Sequence, residues 1–400
     1  PNGERNVMRV GFNYAWAWDR YGMQIGPYTA SGDAAWDADR DPIVGKPLPR
    51  FKLPTLFDNL ARNLQELSAI GISVVRWFLI ANGSNYGRGP WRRIVDEGST
   101  KASVWEFTLP RTTDPRYTFH LRELLKAFRA AKMQIIPSFV DFPLAGDSPP
   151  PDANGLAFGG RADLIRDKAK RTAFLNGIFL DLLVASREFK DVIYAWEVMN
   201  EPSWMLNPPL DDKLPMWSFA ADNAKKTGKP LLRWPMVTQQ DLSDFLTEAI
   251  QLIQLNGFAS TVGHRFFDDL TRLPTGSLPQ YHYYAKKVTK AGLSFGDPDS
   301  IAPFKGEPAP FLGEFASDQA SAEQSKPWPD LSGKTETTLE RLKLLESKGC
   351  QLCLIWPDLA GRNPSAPEPC AALYDGGPVK CDPIKMHPKT VEQIKKYLGK

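Results

Sequence analysis

Val192-Ile193-Tyr194-Ala195-Trp196-Glu197-Val198-Met199-Asn200-Glu201-Pro202 is the stretch on which the fold of this chain turns. It is apolar almost without a break and then stops at an amide, a carboxylate and a proline. Pro202 has no N–H to give to a ladder, so regular pairing ends there. Helical stripes flank the run. Phe174, Ile178 and Leu182 precede it, and Leu242, Leu246, Ile250 and Ile253 follow, opened by Asp241 and closed by Gly257. A near-continuous apolar strand between two amphipathic helices belongs to a parallel sheet buried on both faces.

The same unit recurs along the chain. Leu56, Leu60, Leu64 and Leu67 form a stripe with Thr55 as the expected N-cap and Gly71 as the stop. Leu121, Leu125 and Phe128 form another; Leu339, Leu342 and Leu345 end at Gly349; Val391, Ile394 and Leu398 close the chain. Strand-like runs lie at residues 8–14, 72–77, 134–140, 192–198, 258–262, 280–284, 310–315 and 351–356. Eight strands alternating with helices predict an α/β fold, a single (β/α)8 TIM barrel. Helices lead into strands almost at once, whereas the segments leaving strands are long: residues 78–117, 202–240 and 357–387. All added length therefore falls on the C-terminal face, the side that carries active sites in such barrels. Residues 285–309, rich in Pro and Gly, give only a poor sixth helix. No composition break marks a linker and no repeat is visible, so residues 1–400 are read as one catalytic barrel domain.

Composition narrows the function. Lys plus Arg is 49 and Asp plus Glu is 46, a net charge of +3, without the clustered basic excess of a nucleic-acid footprint. A hydrophobic fraction of 42% supplies a large core and excludes global disorder. No apolar run approaches the roughly 18 to 20 residues that span a bilayer. No nucleic-acid and no membrane partner is expected, and the chain is read as a monomer; twelve Trp residues, whose flat indole faces suit sugar rings as well as cores, leave room for an oligo- or polysaccharide partner. Cys350, Cys353, Cys370 and Cys381 all lie near the C-terminus. A four-Cys zinc site fits poorly, because Cys350 and Cys353 fall in a strand-like run; a bridge between Cys370 and Cys381 fits better and suits an oxidising compartment. A secreted or periplasmic location is expected on that ground.

The chemistry sits at the strand ends. Asn200 and Glu201 follow the fourth strand, and Glu314 lies in Pro310-Phe311-Leu312-Gly313-Glu314-Phe315, the seventh. Both ends face the mouth of an eight-stranded barrel. Two carboxyl groups converging there can split a glycosidic bond, one as nucleophile and one as proton donor, and a separation of roughly 5 Å gives retention. Arg76 interrupts an apolar strand. It points either inward to a carboxylate partner or outward to a helix interface. His282 and Tyr284 share one face of the sixth strand; His282 reads as a site residue or a satisfied core residue. Trp356 ends the eighth strand, against a sugar or in ordinary packing. Scattered His residues give no ligand cluster, so neither a metal nor any other cofactor is expected.

This set resembles glycoside hydrolase clan A, and most closely family five, the cellulase and mannanase family. The resemblance runs over residues 8–400 and is concentrated in Asn200-Glu201-Pro202, Glu314, Arg76, His282 with Tyr284, and Trp356. It implies a retaining hydrolase with Glu201 as acid/base and Glu314 as nucleophile. It departs from the family at strand three: residues 135–142 carry no His, and Asp141 is the candidate to take over that sugar contact. Arg76 and the Tyr284 hydroxyl would hold Glu314 anionic and oriented, and Asn200 would meet the sugar 2-hydroxyl. Trp16, Trp18, Trp91, Trp204 and Trp217, in loops on the same face, would stack successive sugars of a β-linked glucan or mannan attacked internally. Readings kept beside this one are an exo-acting β-glycosidase, a transglycosidase using the same two Glu residues, and a non-catalytic carbohydrate-binding barrel.

Overall fold

Strand β1 (Arg9–Tyr14) lies between the second strand and the last, so the sheet closes on itself. The computed structural model describes residues 7–14, 53–81, 92–96, 103–107, 115–145, 161–206, 237–283, 307–319, 337–356 and 386–400. Helix α1 (Leu53–Ile70) leads to β2 (Val74–Ala81). The long connection after β2 holds a hairpin of β3 (Arg92–Asp96) and β4 (Ser103–Phe107), then α2 (Pro115–Ala130) and β5 (Gln134–Asp141). Next come α3 (Asp163–Arg166), α4 (Lys168–Phe174), one π turn at Leu175–Phe179, α5 (Leu180–Ala185) and β6 (Trp196–Asn200). The chain continues through α6 (Gln239–Leu255), β7 (Ser260–His264), β8 (Gln280–Tyr283), β9 (Phe311–Ala316), α7 (Thr338–Ser347), β10 (Leu352–Trp356) and α8 (Pro388–Leu398).

The barrel order is β1-β2-β5-β6-β7-β8-β9-β10 and back to β1, every pair parallel. This is the (β/α)8 TIM barrel expected from the alternation of apolar runs and helical stripes. Between β7 and β8 the helical layer shrinks to a 3-10 turn, Phe267–Thr271. The weak sixth helix, residues 285–309, falls largely outside the described residues. Among the described residues no helix is long and apolar enough to cross a membrane.

Two helix starts differ from expectation. Thr55 lies inside α1, because Pro54, with φ already fixed for a helix, fits the first turn and lets it begin at Leu53. Thr238, not Asp241, caps α6; Asp241 sits at the third helical position and its side chain accepts from the Thr238 N–H, a reciprocal capping box. The fourth strand also begins later than read. Regular pairing starts at Trp196, and Ile193 makes only an isolated bridge to Ile135.

The core has two parts. Outside the barrel, Leu64, Leu121, Leu125, Phe128, Ile178, Leu246 and Ile394 pack helices onto the sheet. Inside it, Val74, Ile136, Phe311, Leu352 and Leu354 form a separate apolar plug. Side chains repeat every two residues on a strand, so Arg76 follows Val74 and Ser138 follows Ile136 toward the C-terminal end on the same interior face. The interior therefore changes from apolar to charged on the way to the mouth. Gly257 at φ +75° turns α6 into β7, a left-handed conformation that side-chain-bearing residues rarely adopt.

Cys350 and Cys353 are buried free thiols, and burial pushes the Cys350 thiol up to about 12. They stay protonated, which disfavours thiolate binding of zinc. Cys370 and Cys381, with the bridge expected between them, lie outside the described residues.

Candidate active site

Arg76 faces inward from β2 and is fully buried. Its Nε and Nη2 donate to Glu197 Oε2 and Oε1, each at 2.6 Å; Nη1 donates to Asn13 Oδ1 at 3.0 Å and to Glu314 Oε1 at 2.5 Å. Nη2 also donates to Asn200 Oδ1 at 2.6 Å. A fully buried guanidinium is tolerated only with this degree of pairing. Glu197 is just as buried and accepts further from Ser138 Oγ at 2.6 Å and Gln280 Nε2 at 2.8 Å. Side chains from three other strands thus converge on one carboxylate, which fixes Arg76 and through it Glu314 and Asn200.

Glu197 and Asn200 are three residues apart, yet both point inward. A period of two cannot do that. The ladder from β6 to β7 shifts register between Glu197 and Asn200, and this irregularity brings both side chains to the interior. The next residue, Glu201, takes φ +42° and ψ +52°, and its N–H donates to Gly263 O at 2.7 Å. A left-handed conformation costs a residue with a side chain roughly 1–2 kcal/mol. Here it throws the Glu201 carboxyl over the mouth while Pro202 opens a 3-10 turn, Pro202–Met205.

His282 from β8 stands between the two candidate carboxylates. Its Nδ1 is 3.0 Å from Glu201 Oε1 and 3.5 Å from Glu314 Oε2. One carboxylate oxygen from each Glu and a ring nitrogen of His282 all lie within 4.8 Å of one another. Among the described residues these three are the group able to offer atoms to a metal ion at this mouth. The guanidinium of Arg76 on Glu314 and that of Arg265 near Glu201 bring positive charge to the same place, which suits reacting carboxylates better than a divalent cation.

Glu201 is held at both oxygens, since Trp204 Nε1 donates to Oε2 at 2.7 Å. Burial pushes its carboxyl up; the His282 hydrogen bond, the charges of His282 and Arg265 and the Trp204 N–H pull it down, and the balance falls below the ordinary carboxylate value. Burial also moves His264, at the end of β7, down to about 4, so it stays neutral while its Nε2 bonds Pro274 O at 3.0 Å.

The structure brings Arg76, Asn200, Glu201, His282 and Glu314 into one constellation. Asp141, at the end of β5, is buried and accepts from Asn200 Nδ2 at 2.8 Å and Phe142 N at 2.7 Å, so it orients the amide. Trp356 ends β10, half-buried, its ring edge-on to Phe78 at 6.4 Å between centroids. Tyr284, Trp16, Trp18, Trp91 and Trp217 lie outside the described residues. At Trp204, Arg265 lies over the ring, with Cζ 3.3 Å from the centroid, and Phe142 leans against it at 6.0 Å. Its Nε1–H supports Glu201.

Glu197, Asn13, Ser138, Gln280 and Arg265 escape the sequence reading. A signal for three of them exists: Asn13, Ser138 and Glu197 each stand between apolar neighbours within a strand.

No family model matches the chain, and no curated protein matches its sequence. Many solved structures match its fold. The endo-1,4-β-mannanase of Eisenia fetida superposes with a TM-score of 0.53 at 16% identity, covering 94% of this chain and 91% of its own. The β-1,4-D-mannanase of Cryptopygus antarcticus gives 0.50 at 17%, covering 92% and 89%. An exo-β-1,4-mannosidase from Opitutaceae bacterium strain TAV5 gives 0.50 at 14%, covering 98% of this chain and 59% of its own. At these identities the likeness establishes a shared barrel fold along nearly the whole chain.

Proposed function

We propose that the chain is a retaining glycoside hydrolase of the family-five type, cleaving a β-linked glucan- or mannan-type chain by double displacement. The observation that carries this reading is the approach of Glu201 and Glu314, with carboxylate oxygens within 4.8 Å across the mouth. A spacing of about 5–5.5 Å suits a nucleophile and an acid/base; an inverting pair needs about 6.5–9.5 Å to admit a water.

The surroundings divide the roles. Glu314 has a buried guanidinium against Oε1, which keeps it ionised and aimed. Its lone pair attacks the anomeric carbon as the C–O bond to the leaving sugar breaks, and Glu201 gives its proton to the departing oxygen. The ester on Glu314 has lost its charge, so the Glu201 carboxylate next takes a proton from water. The resulting hydroxide oxygen bonds to the anomeric carbon and releases Glu314. Asn200 keeps an amide N–H beyond the one given to Asp141, available to a sugar 2-hydroxyl. Glu201 must begin this cycle protonated, against a balance that favours its carboxylate, so the acid form is the scarcer one at neutral pH.

The names of the similar structures make β-1,4-mannan the first polymer to try, with β-1,4-glucan second. The test is a hydrolysis panel of these polymers and nitrophenyl β-glycosides, with proton NMR of the first-formed anomer and product size over time. A β-anomer at first appearance and an early fall in viscosity support retention and internal attack. An α-anomer first would refute retention. Release of one small sugar with polymer length unchanged would instead give the exo-acting reading.

A further inference from the structure

Arg265, just past β7, lies outside every strand-end motif and yet sits beside the acid/base. It is 7% exposed, and its guanidinium carbon lies over two aromatic rings, 3.3 Å from the centroid of Trp204 and 4.4 Å from that of Phe266. The covered indole is the one whose Nε1 donates to Glu201 Oε2 at 2.7 Å. The turn bearing Trp204 is fastened a second time from the same segment, where Ser203 Oγ donates to buried Asp269 Oδ2 at 2.9 Å. Two contacts from the segment after β7 therefore fix the turn that follows Glu201.

We propose that Arg265 is a positioning residue for the acid/base: it clamps Trp204 against Glu201 and sets, by its charge, how readily Glu201 keeps a proton. This rests on the glycosidase reading of the site and adds to it a residue that touches neither sugar nor nucleophile. The charge works through a poorly solvated space, where a cation favours the ionised form of a nearby carboxyl. Burial lowers Arg265 to about 10, with Glu201 and Asp269 acting to raise it, and it stays protonated across the working range. Other groups facing Glu201 are His282 from β8, Glu314 from β9, and Asp141 from β5 by way of Asn200; Arg76 and Glu197 lie beneath. None of them changes in an Arg265 variant, so a shift on its removal belongs to this residue.

The experiment titrates Glu201 directly in the full chain labelled with 13C at the glutamate δ-carboxyls, Glu201→Gln assigning the signal. Arg265→Gln is expected to raise the Glu201 midpoint by about one pH unit. Arg265→Lys, keeping the charge but not the guanidinium over the indole, is expected to leave most of it in place. Trp204→Phe, which keeps a ring and loses the N–H, is expected to raise it as well, and supplies the test should Arg265→Gln fold poorly. Alongside, the alkaline limb of kcat/KM should move upward in Arg265→Gln for nitrophenyl substrates that need protonation on leaving, and stay put for dinitrophenyl glycosides that do not. An unmoved Glu201 midpoint in both Arg265→Gln and Trp204→Phe overturns the proposal. A moved midpoint in a protein inactive on every glycoside would leave the linkage standing and sink the glycosidase reading instead.

Discussion

Arg76 spends two of its three guanidinium nitrogens on Glu197, Nε and Nη2 each 2.6 Å from a carboxylate oxygen, with both side chains fully buried. The candidate nucleophile Glu314 receives only the third nitrogen. Glu197 is thus the anchor of the site although it faces no substrate. Removing one partner of a buried ion pair strands the other charge and costs about 3–5 kcal/mol. Glu197→Leu should lower stability by about that amount in chemical denaturation and abolish activity, because Arg76 swings toward Glu314. Glu197→Gln, which still accepts hydrogen bonds, should recover part of the stability. A Glu197→Leu protein as stable as the parent would remove Glu197 from this role.

The proposed division of labour between Glu314 and Glu201 predicts different rescue products. Glu201→Ala and Glu314→Ala should each lower turnover by several orders of magnitude on substrates with poor leaving groups. With an activated β-glycoside, the Glu201→Ala protein still forms the ester on Glu314, and azide entering where water would gives a glycosyl azide of retained configuration. In Glu314→Ala, azide fills the space of the missing carboxylate and gives the inverted product. NMR of the two azides decides; the opposite stereochemistry would exchange the roles of the two residues.

Strand order and the convergence of Asn200, Glu201 and Glu314 are legible in the sequence because they follow from apolar runs, helix stops and what comes after each strand. Glu197 is not. A lone Glu in an apolar strand announces burial, but its alliance with Arg76 depends on a register shift that sets Glu197 and Asn200 on one face, and periodicity cannot express that. Arg265 is harder still. It follows a strand end by one residue, and its main contact is an indole from a different loop, a pairing with no sequence spacing. Hairpin β3–β4 stands in a segment read only as a long loop, since its strands carry no clear alternation of apolar and polar residues.

Gly263 tests how tightly this interior is packed. A Cβ there would stand 2.9 Å from Arg76 Nη2 and 3.1 Å from Glu197 Oε1. Both atoms belong to an immobilised, fully buried pair, so neither can give way without losing hydrogen bonds. Gly263→Ala should cost about 1–3 kcal/mol of stability and lower kcat more than it raises KM, since the displaced Arg76 aims Glu314. Thermal unfolding and steady-state kinetics on one β-glycoside check both parts. An alanine variant with parental kcat would mean the site has more room than this packing allows.

Acidity is the last consequence. The Glu201 carboxyl is raised by burial but brought below its ordinary value by His282, Arg265 and Trp204. A general acid must hold its proton when substrate arrives, and a lowered value means that the proton is lost at lower pH. The active fraction therefore declines as pH rises, and the alkaline limb of the rate profile lies on the acid side of where burial alone would put it. The expected result is kcat/KM greatest in acidic buffer and already falling well before neutrality. His282→Asn removes the imidazole whose hydrogen bond favours the Glu201 carboxylate, so it should move the limb toward higher pH while reducing the maximum. A profile flat from acid through neutral pH, or a limb moving downward in His282→Asn, would separate Glu201 from the proton-donating step.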